Sequence, residues 1–513
     1  NHDFSATAGV VTETRDSFFS SISGTGYTSD AVKQITNASV ISGADAFEWE
    51  KNGISYVGRF DYAYDNKYLM SLSFRRDGSS IFGSDYKYGN FPSASIGWNI
   101  SNESFMQDSN VVNNLKIRAS YGVTGNDRLN TGSVDPDVSS STSSLSTGNI
   151  LVDYYPSLAL LNATTASIDG AVLPGFSPLN IANPELQWER LVEINPGIDF
   201  GLFNNRISGS IDWYQRTSDQ LLLNNPVSYT TGFSDALVNL GEVKNEGWEI
   251  ELRTKNISNE NFSWSSAAIA TLNENTLVDF ADSNGQIQNI DAKRAAEWIN
   301  LEGMPISTYY GWVVDRDIPL EYLNNAYHPV GGEAQDVYVK DLNGDGLIDD
   351  DDKAALGDPY PELVWSFTNN FKFGAVDLSF MFQGSHGAEI RNMGDQYLFN
   401  HFNSSQDFNT STTPDQEFIK QKIFTNDIIQ DASYVALRNV NIGYNFSDDV
   451  LSKLRMSAFR IYVTGQNLMY LTADGYTGFN PESIDRTSPT TYGYQRAGSP
   501  IYNTISVGLN LDF

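Results

Sequence analysis

Apolar side chains return at every second position over stretches of about ten residues, and the pattern recurs along most of the chain. Ile54, Tyr56, Phe60, Tyr62 and Tyr64 alternate with smaller or polar neighbours, Asp65-Asn66-Lys67 turns the chain, and Tyr68, Met70, Leu72 and Phe74 resume the alternation. A period of two puts these side chains on one side of a strand, so the segment predicts a tight hairpin with one apolar and one polar face. The same pattern returns at Leu115, Ile117, Ala119, Tyr121 and Val123, and at Ile207, Ile211 and Trp213 after the Asn204-Asn205 turn. It closes the chain at Ile505, Val507, Leu509, Leu511 and Phe513.

The connections alternate in length. Asp65-Asn66-Lys67, Asn204-Asn205 and Phe373-Gly374-Ala375 are short, whereas 125–185, 273–361 and 385–433 are long and rich in Gly, Asn, Ser and Asp. Short turns at one end and long loops at the other describe a transmembrane antiparallel β-barrel, with the turns in the periplasm and the loops outside the cell. Two turns read as small helices, with Ser101 and Ser447 as N-caps and Glu103, Asp448 and Asp449 in the first turn. Counting back from a last strand that ends in the periplasm gives about 14 strands, the first running outward from residue 4. The count holds only if Ile306–Val314, apolar as it is, lies in an outer loop.

Composition narrows the choice. No apolar run approaches the roughly 18 residues of a spanning helix, so a membrane crossing has to be made by a closed barrel. Trp98, Tyr121, Trp213, Trp248, Trp264 and Tyr444 recur on strands as headgroup girdles do, although a soluble β-sandwich also carries strand aromatics. Leu509, Leu511 and the terminal Phe513 form an alternating end of the kind that barrels present for membrane insertion. The formal charge of −31 repels nucleic acid, and the absence of Cys rules out disulfides and thiolate metal sites. Only four His are present and none has metal-ligand spacing; nucleophile elbows and phosphate loops are missing too, so no enzyme is expected.

One motif carries specific chemistry. In 341–352, Asp341, Asn343 and Asp345 offer side-chain oxygens at positions 1, 3 and 5, Leu347 a backbone carbonyl at 7, Asp349 an oxygen at 9 and Asp352 a carboxylate at 12. Gly346 permits the sharp turn. This is calcium-loop spacing, with Asp in place of the longer Glu at the last position. Ca²⁺ is the expected ion and Mg²⁺ the alternative, in a structural role within a 315–361 extracellular loop region. A solvated acidic turn is the plainer reading. Tyr154, Tyr155, Trp298, Tyr309, Tyr310 and Trp312 fall in the long loops, where they either stack on sugar rings or, more ordinarily, pack the loops together. No substrate-binding residue is assigned.

Several blocks resemble the SusC/RagA group of TonB-dependent outer-membrane transporters of Bacteroidota: Phe74-Arg75-Arg76-Asp77-Gly78-Ser79-Ser80, Leu115 to Gly122, Asn183-Pro184-Glu185-Leu186-Gln187-Trp188-Glu189, Gly241 to Glu249 and Arg460 to Leu468. The resemblance implies a barrel of about 22 strands holding an N-terminal plug. It also implies a SusD-like surface lipoprotein as partner and energy drawn through TonB. The whole of 1–513 then reads as the C-terminal part of such a receptor, without counterparts of the plug, the TonB-contacting segment and the early strands. The expected function is uptake of oligosaccharide or oligopeptide across the cell outer membrane. A structural or assembly barrel subunit of a larger outer-membrane complex is the first alternative, and a secreted calcium-dependent carbohydrate-binding β protein the second.

Overall fold

The computed structural model describes residues 1–29, 31, 34–129, 152, 154–168, 171–233, 235–280, 286–291, 296–313, 340–345, 350–392, 408–410, 421–423, 426, 429–484, 491–495 and 498–513. Fourteen strands form one sheet, each beside the next in chain order. They are β1 (His2–Thr25), β2 (Val40–Tyr64), β3 (Tyr68–Ser79), β4 (Tyr88–Asn99), β5 (Val112–Asn126), β6 (Glu189–Leu202) and β7 (Ile207–Asp219), then β8 (Glu242–Ser258), β9 (Phe262–Asp279), β10 (Leu363–Phe373), β11 (Val376–His386), β12 (Tyr434–Asn445), β13 (Ala458–Thr472) and β14 (Thr504–Asp512). The expected number of wall strands and their short turns are therefore found. No helix among the described residues is long and apolar enough to cross a membrane.

The chain divides into two compact units: residues 1–96, 120–193 and 217–242 in the first, and 97–119, 194–216 and 243–513 in the second. In the first unit β1 pairs antiparallel with β2 from His2↔Tyr64 outward, and β2 with β3 from Tyr64↔Tyr68. Directly opposed residues in a sheet share a face. The rows Phe4–Tyr62–Met70, Ala6–Phe60–Leu72 and Ala8–Gly58–Phe74 thus make one apolar side, and Ser5–Asp61–Ser71 and Thr7–Arg59–Ser73 make the other, polar side. The turn between β2 and β3 places Asp65 and Asn66 at φ 53° and 54°, the paired left-handed residues that a tight hairpin requires.

Phe4 is 71% exposed and Phe74 50%, so the apolar side carries large side chains that nothing among the described residues covers. Buried side chains gather elsewhere. Ile81, Phe82, Phe91, Val123, Leu186, Trp188 and Leu237 form one cluster, and Phe47 and Trp49 form another with Phe19, Tyr154 and Tyr155. A hairpin of Leu222–Pro226 with Asp235–Asn239 supplies Leu237 to the larger cluster. That hairpin falls in a connection the sequence pattern does not single out.

The second unit repeats the two-sided wall. Val507, Leu509 and Leu511 oppose Val463, Ile461 and Phe459 on the apolar side, while Ser506 and Asn510 oppose Thr464 and Arg460 on the polar one. The expected insertion residues Leu509, Leu511 and Phe513 are all exposed, Phe513 at 86%. Trp98, Trp248 and Tyr444 of the expected girdle are likewise exposed on strands. Phe203, Asn204 and Asn205 all have positive φ at the β6–β7 turn, and Gly374 does so at the β10–β11 turn.

One helix cap is misplaced by the sequence reading. Ser101 lies inside a short 3-10 turn, Ile100–Asn102, whose N-cap is Asn99, so it caps nothing. Ser447 does precede a helix, Asp448–Leu454, with Asp448 and Asp449 in its first turn, but its hydroxyl makes no capping hydrogen bond.

Between β9 and β10, Gln286–Asp291, Ala296–Asn300, Thr308–Trp312 and Lys353–Gly357 build a separate four-stranded sheet. The apolar stretch from Ile306 is therefore loop structure, as strand parity requires. A three-stranded sheet sets Glu389–Asn392 between Ile429–Asp431 and Tyr494–Gln495. Trp298, Tyr309 and Tyr494 are fully buried at the centre of this loop assembly, against Leu356 and Ile429.

Candidate functional site

The polar side of the wall is built from charges paired across and along strands. In the first unit Arg59 donates to Asp61 at 2.8 Å and Arg75 to Asp77 at 2.7 Å, two positions on along the same strand and so on the same face. A cavity of about 330 Å³ lies against this side, lined by Arg59, Ser71, Ser93, Ser120, Thr124 and Glu193 among others. Its hydroxyls and few charges can exchange hydrogen bonds with a hydrated solute.

In the second unit Arg118 of β5 reaches two carboxylates on successive strands, Asp199 of β6 at 3.2 Å and Asp212 of β7 at 2.6 Å, and donates to Asn195. Gly197 leaves room for the cluster, because a Cβ there would fall 2.1 Å from an Asp212 oxygen. Near the end of the wall Arg460 donates to Asp377 at 2.5 Å and to Asn441 at 2.7 Å, and Asn445 donates to Asp377 at 2.8 Å. Arg438 sits in an irregularity of the β12–β13 register, donates to Gln383 at 2.8 Å, and lies over the rings of Tyr434 and Tyr470. It also pairs with Glu482, which fastens the connection after β13 to the wall. None of these clusters pairs a nucleophile with a base.

The cation loop is described at Asp341, Asn343, Asp345 and Asp352; Leu347 and Asp349 lie outside the described residues. The buried Asp352 carboxylate turns back to the start of the loop and accepts the Leu342 N–H at 2.7 Å and the Asn343 N–H at 3.3 Å. Asp341 accepts the Gly344 N–H at 2.7 Å, Asn343 accepts the Asp345 N–H at 2.9 Å, and Gly344 takes φ +77°. Positions 1, 3, 5 and 12 thus belong to one hydrogen-bonded loop, and their side chains offer hard oxygens, the donor type that a calcium-like ion takes. Among the described residues alone, no group of three or more His, Cys, Asp or Glu side chains converges closely enough to hold a metal.

Five of the six loop aromatics pack within the loops or against the wall. Tyr154 stacks on Trp49 with ring centroids 3.7 Å apart, and Tyr155 accepts the Glu50 N–H. Trp298 donates to the Tyr492 carbonyl at 2.9 Å and Tyr309 to that of Gly493 at 2.5 Å. Trp312 is buried beneath the Lys353 ammonium. Sequence alone does not reveal these partners, which stand up to 194 residues apart.

Burial holds the carboxyls of Asp358 and Glu389 above their ordinary values of 3.8 and 4.5, and Glu389 accepts the Asp358 N–H at 2.8 Å. Each acid is therefore more readily protonated in the folded loop than in the unfolded chain. That difference destabilises the folded loop above the shifted values and is relieved as pH falls through them. Glu389→Gln keeps an accepting oxygen and removes the charge. We expect it to raise the loop's resistance to proteolysis at pH 7 and to flatten the pH dependence above about 4.5; a variant equal to or weaker than the parent at pH 7 would exclude this account.

Comparison with known proteins places the wall. A family model described as "TonB dependent receptor-like, beta-barrel" matches residues 2–468. The chain is 32% identical over 480 residues to "TonB-dependent receptor P3" of Formosa agariphila, covering 90% of this chain and 45% of that protein. It is 26% identical over 476 residues to "TonB-dependent receptor SusC" of Bacteroides thetaiotaomicron, covering 90% and 44%. Among solved structures, the RagAB peptide importer in its "open-open" state covers all of this chain with a TM-score of 0.77 at 21% identity, and 53% of that chain is matched. The chain spans about half the length of the curated relatives it matches.

Proposed function

Because the chain belongs to the TonB-dependent receptor β-barrel family, a family of the outer membrane, we propose that it forms much of the wall of a SusC-type nutrient importer. The observation that carries this reading is the sheet of fourteen strands, with an apolar and a hydrogen-bonding face along its described pairings, whose fold matches an importer over the full length of the chain. The cargo is an oligosaccharide or oligopeptide, handed over by a SusD-like surface lipoprotein and moved by energy drawn through TonB. Transport of this kind needs gating, not catalysis. A secreted carbohydrate-binding protein does not fit membership of an outer-membrane family.

The test is made on the protein as purified from outer membranes in mild detergent. Intact mass, N-terminal sequencing and identification of co-purifying proteins are expected to show a longer polypeptide accompanied by a surface lipoprotein. Deleting either gene in the producing bacterium should abolish uptake of labelled oligosaccharide or peptide. Undiminished uptake after deletion, with no lipoprotein retained, would favour the assembly-subunit alternative.

The 341–352 loop is proposed to hold Ca²⁺ through Asp341, Asn343, Asp345, Leu347, Asp349 and Asp352, ordering the extracellular loop around it. When bound, the ion supplies charge neutralisation and cross-linking only. Asp341→Asn combined with Asp345→Asn is expected to remove a Ca²⁺-binding isotherm seen by calorimetry and to increase proteolysis within the loop. A calorimetric trace without Ca²⁺-dependent heat in the unaltered protein would reject the site, and binding of Mg²⁺ in preference to Ca²⁺ would reject the assigned ion.

A further inference from the structure

The apolar side of the first unit is not uniform. The row Ala8–Gly58–Phe74 has two small members, while the rows above and below it carry Val10–Tyr56 and Ala6–Phe60. The result is a groove of about 510 Å³, lined by Ala8, Val10, Tyr56, Gly58 and Phe74. A Cβ built on Gly58 meets nothing within 4 Å, so the missing side chain leaves open space rather than room for a protein neighbour.

Directly above the groove, on the same face, stands a charge. Arg76 opposes Tyr56 across the β2–β3 pair, is exposed, and has its guanidinium carbon 5.0 Å from the centre of the Tyr88 ring. Beyond it the face turns polar: Thr14 donates to Asn52 at 2.8 Å and Asn52 to Glu50 at 2.5 Å. Arg76 therefore sits where apolar wall gives way to polar wall, beside the aromatic rings that mark a headgroup boundary. The nearest carboxylates on that face of β1 and β2, Glu50 and Asp16, oppose each other three same-face positions further along β2 than Tyr56. Across from Arg76 on β2 and β1 stand Tyr56 and Val10, neither of them acidic.

The geometry points to a bound lipid: an acyl chain of the phosphorylated glycolipid of the outer leaflet lies in the Ala8–Gly58 groove, with its phosphate on Arg76. The occupant is a lipid because this face belongs to the hydrocarbon-facing side of an outer-membrane wall, and it is anionic because an exposed guanidinium at the boundary offers a forked donor to phosphate oxygens. The outer leaflet is the source because β1 runs outward from its short-turn end and Arg76 lies toward the far end of the groove.

The full-length protein, delipidated in detergent and titrated with monophosphoryl lipid A by native mass spectrometry, tests the site. Arg76→Gln is expected to lower lipid A retention about tenfold, while binding of a neutral diglyceride stays unchanged. Gly58→Leu, whose Cβ meets nothing within 4 Å, fills the groove and is expected to lower retention of both. Heat-modifiable migration on gels confirms that each variant is folded. Equal retention of lipid A by the parent and both folded variants would overturn the site. Phosphatidylglycerol held as tightly as lipid A, with the same dependence on Arg76, would overturn its assignment to the outer-leaflet glycolipid.

Discussion

Leu72→Arg should destabilise the folded wall by about 2–4 kcal/mol, the cost measured for a basic residue near the middle of a membrane barrel's lipid-facing side. Leu72 lies midway along β3, opposite Phe60, and is 43% exposed on the apolar face. Ser71, its chain neighbour, opposes Asp61 on the polar face. The paired control Ser71→Arg should change stability little, because a guanidinium there meets hydroxyls and a carboxylate instead of hydrocarbon. Denaturant unfolding from lipid bilayers, read for both variants, separates the faces: equal costs at the two positions would mean that the side chains do not alternate between lipid and water.

Trp298→Ala should open the loop assembly and leave the wall intact. The indole is fully buried against Tyr309 and Tyr494, and its N–H is donated to the Tyr492 carbonyl at 2.9 Å. Removing a buried Trp costs about 3–5 kcal/mol, from lost burial and the cavity left behind, and here it also orphans a carbonyl acceptor. Hydrogen exchange should accelerate across 296–312 and 491–495 while protection in β10 to β14 is retained. Loss of protection in the wall strands as well would show that loops and wall fold as one cooperative unit, and unchanged exchange would show that this cluster does not hold the loops.

The wall was legible in the sequence because the constraint behind it is simple. A strand with hydrocarbon on one side and water on the other repeats every two residues, and the repeat survives from Ile54 to Phe513 whatever the loops do. Strand parity is equally informative, since it excludes the apolar run from Ile306 from the wall, and among the described residues Thr308–Trp312 pairs within the separate four-stranded sheet. The 341–352 spacing marks a turn rich in oxygen donors, but the hydrogen bonds from Leu342 and Asn343 to Asp352 appear only in the folded loop.

Other features had no local signal. Arg118 chooses Asp199 and Asp212 from a chain rich in acids, and only the register of three strands decides which carboxylates face it. Tyr494–Gln495 is a strand of two residues that pairs in parallel with Arg391 and Asn392, too short to leave any periodicity. The hairpin that carries Leu237 likewise depends on a long-range packing partner. Ser101 resembles a cap because a serine shortly before an acid does so even where the backbone makes only one 3-10 turn. The groove beneath Arg76 is a property of three strands together: neither Ala8 nor Gly58 stands out until they are placed side by side.

Residues 1–513 contain no cysteine, so single spin labels introduced at chosen sites meet no background thiol from this part of the protein. Labels at Ser71, Leu72, Ser73 and Phe74, in the protein reconstituted into bilayers, test the membrane-wall reading most directly. Leu72 and Phe74 should be relaxed chiefly by dissolved oxygen, which concentrates in hydrocarbon, and Ser71 and Ser73 chiefly by a water-soluble nickel chelate. Four positions with the same accessibility, or the opposite alternation, would contradict a wall that faces lipid with one side of every strand and an aqueous lumen with the other.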